Sequence, residues 1–389
     1  MVSLQELIQL GLLAGFQPVV PGADLGRIVS NVVILEYESD RGTYDGFGEG
    51  DLVLTSLFFA KDRPEAILPA FENLLTRRVS AVAVKSVYYR TLPAPVLARA
   101  EAARLPVFFF SKTYMEDIIL NVNECIKSHQ RSRFLEQKID ELLLRRLTPD
   151  QVADAARDIC PGCGDFVTAF YVEVLDEHED AQLFRFVNRL LYRTDRAQGD
   201  GLACFFVKYR QGVLVFYHTS SDNPPAAVSL TRGLLDLLGG DRTRYRLGGA
   251  GDFHPLSELD VCLQKSLYAW RVARKDGKSL VCHQELGLSA FILPLSENRS
   301  AVSHHRALTR RIEAYDRKFH SGLMETLTSF VRHDGEIAAA AETLHLHPNT
   351  VRYRLQRARE LLGLEHDRHF RETVSLLIRL RELCEEEEA

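Results

Sequence analysis

No apolar run in the 389 residues approaches the roughly 18–20 that a membrane span needs. An unbroken run such as Pro106–Phe110 has only the length of a strand. Basic charge is not in excess. Lys plus Arg number 48 against 53 Asp plus Glu, a net charge of −5. That excludes a protein coated in positive charge but leaves room for a small basic domain. The first six residues, Met1–Glu6, hold no basic stretch and an early Glu, so no secretion signal is read there. Seven cysteines, an odd number spread over a long chain, argue for reduced thiols in a cytoplasm and against a disulfide framework. What is present suits a globular protein. Apolar residues make up 46 % and charged residues 26 %, and the length suits two or three domains.

The first third alternates helical and strand-like stretches. Residues 3–13 carry Leu4, Leu7, Ile8 and Leu12 at helical spacing, stopped near Gly15. Ile28–Leu35, Asp51–Leu57, Val79–Val84 and Val107–Phe110 read as buried strands. Pro64–Arg77 and Pro95–Arg104 read as helices. Short strand–helix periods predict an α/β layer with a mainly parallel sheet. From about 115 to 147 one long helix is expected, with Ile119, Val122 and Ile126, then Leu135, Ile139 and Leu142, stepping by three and four. Polar residues 128–133 interrupt the phase. Such a helix either forms a short coiled coil with a second chain or packs on its own domain. A second α/β region follows: strands at Phe166–Leu175, Gly201–Val207, Val213–His218 and Ser279–Cys282, helices at Ala181–Tyr192 and Leu256–Lys275, and loops at Pro224–Pro225 and Gly239–Gly240. The end is helical: Gly322–Arg332, Glu336–Leu344, Pro348–Leu362 and Phe370–Cys384, then a solvated acidic tail over Glu385–Glu388. The expected division is an N-terminal α/β domain at 1–115, a connecting helix at 116–150, an α/β middle domain at 151–295, a linker at 296–321 and an all-α domain at 322–384.

Glu336–Leu362 is the most informative stretch. An Ala-rich helix ends at Leu344, a tight turn of His345, Leu346 and His347 follows, and Pro348 opens a second helix where its fixed φ is tolerated. Small residues on the first helix let the second approach, the form of a helix-turn-helix. In the second helix Val351, Leu355, Ala358 and Leu362 step by 4, 3 and 4 and share one side, so they should be core. Asn349, Tyr353, Gln356 and Arg357 lie opposite, flanked by Thr350 and Arg352. Residues 348–362 hold four Arg and one Glu, a net of +3 in an acidic protein. Arg reaches guanine or phosphate, Asn pairs with adenine, and Thr meets a thymine methyl or a phosphate. A charged, solvated helix at the end of a bundle is the plainer alternative. Arg354 sits near the core edge, where it can pair internally.

The stretch Glu325–Leu383 resembles the C-terminal helix-turn-helix of the PucR (purine catabolism regulator) family of bacterial transcription factors. The residues that carry the resemblance are Thr326-Leu327, Ala340, Leu344, the block from His347 through Leu355, and Leu361-Leu362-Gly363. The family often has Arg or Lys where this chain has Pro348, which removes one phosphate contact. Gly50–Thr55 and Leu105-Pro106-Val107 resemble the family's sensor domain. Leu256, Leu259, Ser266, Ala269 and Gly277 resemble its GGDEF-related, non-cyclase middle domain. The resemblance implies a cytoplasmic, ligand-responsive regulator, often an activator of catabolic genes, and no enzyme. The expected partners are double-stranded DNA, a small-molecule effector and further copies of the chain in a homodimer or higher homo-oligomer, and no membrane, metal or cofactor is expected. The expected DNA-contacting set is His347, Asn349, Thr350, Arg352, Tyr353, Arg354 and Arg357.

Other constellations are weaker. Gly239-Gly240-Asp241 is followed by Arg242-Thr243, so the carboxylates that hold a metal on a nucleoside triphosphate are missing. Cys160 and Cys163 form a lone CxxC that follows a helix and precedes a strand. One pair does not complete a four-ligand zinc site, and redox pairs usually open a helix. A nucleotide-binding or thiol-redox sensor using the middle domain and Cys160/Cys163 is the rival class. His304-His305 reads as solvated in a polar linker, and His347 as a cap or a DNA contact. Ligands of open α/β sheets sit at the carboxyl ends of strands, which points to Thr55, Ser56, Lys85 and Ser86 for the effector. No Ser-His-Asp or paired-carboxylate arrangement is apparent.

Overall fold

The computed structural model describes residues 2–36, 44–175, 183, 186–187, 190, 202–221, 224–225, 227–239, 241–364 and 368–388. Two compact units result, one of Met1–Leu247 with Asp252–Gln264, the other of Gly248–Gly251 with Lys265–Ala389.

The first unit opens with β1 (Val2–Ser3) and α1 (Leu4–Gln9). The Ser3 side chain accepts from the Glu6 N–H and the Glu6 carboxylate accepts from the Ser3 N–H, so the helix start is doubly capped. The helix stops at Gln9, short of the expected 13, and Gly11 with φ +78° turns the chain. There follow β2 (Gln17–Pro18), β3 (Ile28–Val29), β4 (Asn31–Ile34), β5 (Asp51–Thr55), α2 (Ile67–Thr76), β6 (Ala81–Lys85), α3 (Ala94–Ala102) and β7 (Val107–Phe110). The sheet order is β2-β7-β6-β5-β4. β4, β5, β6 and β7 run parallel, and β2 lies antiparallel on the edge. The expected strand over 28–35 is two strands. β3 pairs back with β1, while the Ser30 N–H donates to the Gly50 carbonyl and shifts the chain onto the sheet.

Alternation along each strand sends neighbours to opposite faces. Val53, Val82, Val84, Val107 and Phe109 pack with α2 and α3. Leu52, Leu54, Ala81, Ala83, Phe108 and Phe110 pack on the other side with Leu4, Leu7, Met115, Ile118, Val122 and Ile126. A sheet buried on both faces is why these strands read as continuous apolar runs.

The long helix is α4 (Met115–Leu144). Its first half covers the parallel sheet, and Ile139 and Leu142 of its second half are buried again. α5 (Pro149–Ile159), β8 (Phe166–Val174), β9 (Leu202–Tyr209), β10 (Gly212–Thr219), α6 (Ala227–Leu237), β11 (Tyr245–Gly249), β12 (His254–Pro255) and α7 (Leu259–Lys275) come next. β8, β10 and β9 form an antiparallel ladder. Two bonds tie it to α4, and a third joins α4 to α5. The Tyr209 hydroxyl donates to Asp140 at 2.7 Å, the Arg210 N–H donates to Glu136 at 2.6 Å, and Lys138 meets Asp158 of α5 at 2.7 Å. Polar residues 128–133 fall where the helix passes between its two docking faces, which explains the broken phase. Within this chain the helix packs on its own domain at both ends. The helix expected over 181–192 lies largely outside the described residues, as does Gly240.

The second unit takes the later part of α7 from Lys265, β13 (Leu280–Cys282), α8 (Ser289–Glu297), α9 (Arg299–Phe319), α10 (Leu323–Arg332), α11 (Ile337–Thr343), α12 (Pro348–Leu362) and α13 (Phe370–Glu388). Residues 296–321, expected as a linker, are mostly the helix α9. Asn298 caps its start by accepting from the Ser300 and Ala301 N–H groups. His305, Thr309 and Ile312 lie on its buried face. The polar composition of 296–321 hid this amphipathic spacing. His305 is therefore not solvated. It is buried with Nε2 3.1 Å from the Leu377 carbonyl, and burial holds its pKa below the usual range. If α9 is core, Ile312→Ala should lower the unfolding free energy by about 2–5 kcal/mol in urea melts. A linker residue would leave the midpoint unmoved.

Candidate nucleic-acid interface

The pair α11 and α12 is joined by Leu344–His347, with His345 at φ +52° and the Leu346 N–H donating to the Ala341 carbonyl at 2.9 Å. His347 is the N-cap of α12, its Nδ1 accepting from the Asn349 N–H at 3.2 Å. Pro348 occupies the first helical position, where no N–H is needed. At the far end Gly363, with φ +72°, stops the helix.

Val351, Leu355, Ala358 and Leu362 are all buried, as their spacing predicts. They close a core with Ile312, Leu327, Phe330, Ala341, Phe370, Val374 and Ile378. Asn349, Thr350, Arg352, Tyr353 and Gln356 are exposed on the other side, Tyr353 at 70 %. Arg352 donates to the Asn349 side-chain oxygen at 2.7 Å, so the two form one polar unit on that face.

The remaining arginines of α12 turn toward their own domain. Arg354 is half-buried and donates to the Thr326 hydroxyl at 3.1 Å and to the Gly322 carbonyl at 3.4 Å. Gly322 has φ +67°, and a Cβ there would lie 3.0 Å from the guanidinium. Arg357 pairs with Glu360 at 2.6 Å, and its guanidinium lies 4.8 Å from the centre of the Tyr315 ring. Arg359 stands 4.3 Å over Phe370. Spacing alone placed Arg357 on the exposed side. The aromatic partner that draws it inward lies on α9, the segment read as a linker. Asp316, also on α9, sets the start of α10 by accepting from Ser321, Leu323 and Met324.

In the N-terminal domain the four residues expected around an effector stand at the carboxyl ends of β5 and β6. Thr55 is fully buried, its hydroxyl accepting from the Leu57 N–H at 2.9 Å. Ser56 donates through both its N–H and its hydroxyl to Glu36. Lys85 lies 5.3 Å from the ring centre of Tyr114. Ser86 lines a 620 Å³ cavity together with Arg90, Thr91, Phe109 and Ser111. At the amino ends of the same strands is a 790 Å³ cleft lined by Arg27, Ser30, Arg78, Ser80 and Arg99, which the strand-end rule did not predict.

Comparison with known proteins bears on both ends of the chain. Residues 6–126 match the purine catabolism regulatory protein-like family, and residues 323–381 match the PucR C-terminal helix-turn-helix domain. The DNA-binding transcriptional activator AdeR of Bacillus subtilis (strain 168) is 27 % identical over 30 % of this chain and 28 % of its own length. The uncharacterized protein YsfB of the same organism is 31 % identical over 32 % of each. The chain thus spans about a third of the length of these relatives. A regulator of polyketide synthase expression from Bifidobacterium adolescentis, a solved structure, is 17 % identical over 64 % of this chain and 99 % of that one, with a TM-score of 0.31.

The inward and outward arginines should separate in a stability measurement. Arg354→Ala removes a donor from buried Thr326 and should lower the unfolding free energy by about 1–3 kcal/mol. Arg352→Ala should stay within about 0.5 kcal/mol. Equal losses in urea melts would show that the two side chains are not divided in this way.

Proposed function

We propose that this chain, which carries a PucR-type N-terminal domain and a PucR-type helix-turn-helix, is a transcriptional regulator that reads double-stranded DNA with α12. The observation that carries the reading is the exposed polar stripe of Asn349, Thr350, Arg352 and Tyr353 on a helix whose opposite face is fully committed to the core. A helix so oriented lies along the major groove with its first turns toward the bases. Arg352 and Asn349, already joined, supply a guanine or phosphate contact and an adenine contact. Thr350 and Tyr353 flank them. His347 caps the helix and stands beside the phosphate path, and Arg354 and Arg357 hold the helix in place from behind.

The rest of the reading is regulatory. A small metabolite is sensed in the N-terminal domain at the carboxyl ends of the parallel strands, with Lys85 and Ser86 nearest to it and Thr55 and Ser56 forming its floor. α4 couples that domain to the middle sheet, because one rigid helix buries side chains on both. The middle domain is read as a degenerate GGDEF-like module with no catalytic role. The protein acts in the cytoplasm as a homodimer on paired half-sites, where a change of spacing changes binding. The similarity to an activator supports activation of catabolic genes as the sign of regulation.

The test is binding of the full chain to fragments of the DNA flanking its own gene at two salt concentrations. Selective, salt-sensitive binding is expected. Arg352→Ala should weaken it and lower the salt slope by about one. Asn349→Ala should relax preference at one base pair by about 1–3 kcal/mol. Absence of selective binding, with and without candidate catabolites, would overturn the reading.

A further inference from the structure

The CxxC has a third member that lies far away in sequence. The sulfurs of Cys160 and Cys163 and a ring nitrogen of His218 all lie within 4.8 Å of one another. α5 ends at Ile159, and Cys160 caps it in extended conformation. The Cys163 N–H donates to the Cys160 carbonyl at 3.0 Å, which folds the two thiols together. The next residue presses this turn onto the end of β10. A Cβ on Gly164 would come within 2.3 Å of the Thr219 carbonyl carbon, so only glycine fits. The Gly164 N–H donates to His218 Nδ1 at 3.1 Å. A neutral ring that accepts at Nδ1 carries its proton on Nε2.

That tautomer decides between two chemistries. A metal-ligating histidine normally donates its outer N–H to an acceptor. Here Nδ1 accepts from a backbone N–H, so the proton of a neutral ring is on Nε2. The surroundings agree. A hydrogen bond from the Cys163 thiol and a second from His218 pull the Cys160 thiol down to about 5, while Cys163 is pushed up as it keeps the shared proton. Burial pushes Cys125 and Cys204 the other way, to about 11. Cys160 and Cys163 are also part-exposed, so a small molecule can reach them.

We propose that Cys160 and Cys163 form a dithiol oxidised by hydroperoxides, with Cys160 the attacking sulfur, Cys163 the resolving sulfur and His218 a positioning residue that holds the Cys160 thiolate. The Cys160 thiolate attacks one peroxide oxygen and the O–O bond breaks, giving a sulfenic acid. The departing hydroxide takes the Cys163 proton and leaves as water. The Cys163 thiolate then attacks the sulfenic sulfur, the S–O bond breaks, and the second hydroxide takes a proton from solvent. With hydrogen peroxide as the hydroperoxide, the two sulfurs lose two electrons to it and it becomes two waters. The products are one disulfide and a loop pinned at the end of β10.

The test exposes the reduced full chain to hydrogen peroxide, blocks the remaining thiols with N-ethylmaleimide and maps the peptides by mass. The expected result is a Cys160–Cys163 disulfide with the other cysteines still blocked, reversed by dithiothreitol. Cys163→Ser should stop at a Cys160 sulfenic acid that dimedone traps. Cys160→Ser should leave Cys163 unmodified. His218→Gln should slow alkylation of Cys160 by about tenfold at a pH well below that of the Cys160 thiol, where one pKa unit costs a tenfold loss of thiolate fraction. Oxidation spread over Cys204 and Cys282 without the disulfide would overturn the proposal. So would one zinc per purified chain that is lost in Cys163→Ser, since the trio would then be a metal site.

Discussion

The direction in which α12 faces rests on Val351, Leu355, Ala358 and Leu362 burying against α10, α11 and α13. Each large aliphatic side chain removed from water contributes about 1.5–3 kcal/mol. The exposed pair Arg357–Glu360 is worth about 0–1 kcal/mol. Apolar burial therefore fixes the helix, and the charges adjust to it. This is why the polar face can carry a recognition surface at all. Rotating α12 by one residue would move about 100° of helix surface and take the leucines out of the core.

The division of labour among the arginines follows from that constraint. A long cationic side chain lays its stem along whatever apolar surface is near. Arg354, Arg357 and Arg359 find Thr326 and Gly322, Tyr315, and Phe370. Only Arg352 is fully exposed among the four. The net charge of +3 counted along α12 overstates what it presents to a phosphate backbone. The exposed face of α12 thus offers a few directed polar groups and no broad basic field, in keeping with the acidic chain as a whole.

Much of the fold was legible because both dominant signals are periodic. The parallel strands β5, β6 and β7 read as apolar runs since each buries both faces. The core positions of α12 were visible at steps of 4, 3 and 4. Three features were not legible, each for a physical reason. α9 looked like a linker because its inner face is only partly apolar and includes His305 and Thr309, of which His305 Nε2 and the Thr309 hydroxyl find partners inside the fold. The break of the strand over 28–35 depends on a bond from Ser30 to Gly50, which no local pattern encodes. The inward turn of Arg357 needs Tyr315, about forty residues away and on the element that was misread.

His218 shows the same limit most sharply. A CxxC can be seen in sequence, but its chemistry depends on which groups the fold brings to it. The third member arrives because β10 ends beside the start of β8, and because Gly164 lets the turn press against Thr219. The bond from the Gly164 N–H then settles where the imidazole proton sits. A ring free to choose its tautomer could serve a metal or a thiolate equally. Held as it is, it favours the charged sulfur. A histidine fifty-four residues from Gly164 in sequence, held by the N–H next to the motif, thus decides what the two cysteines can do.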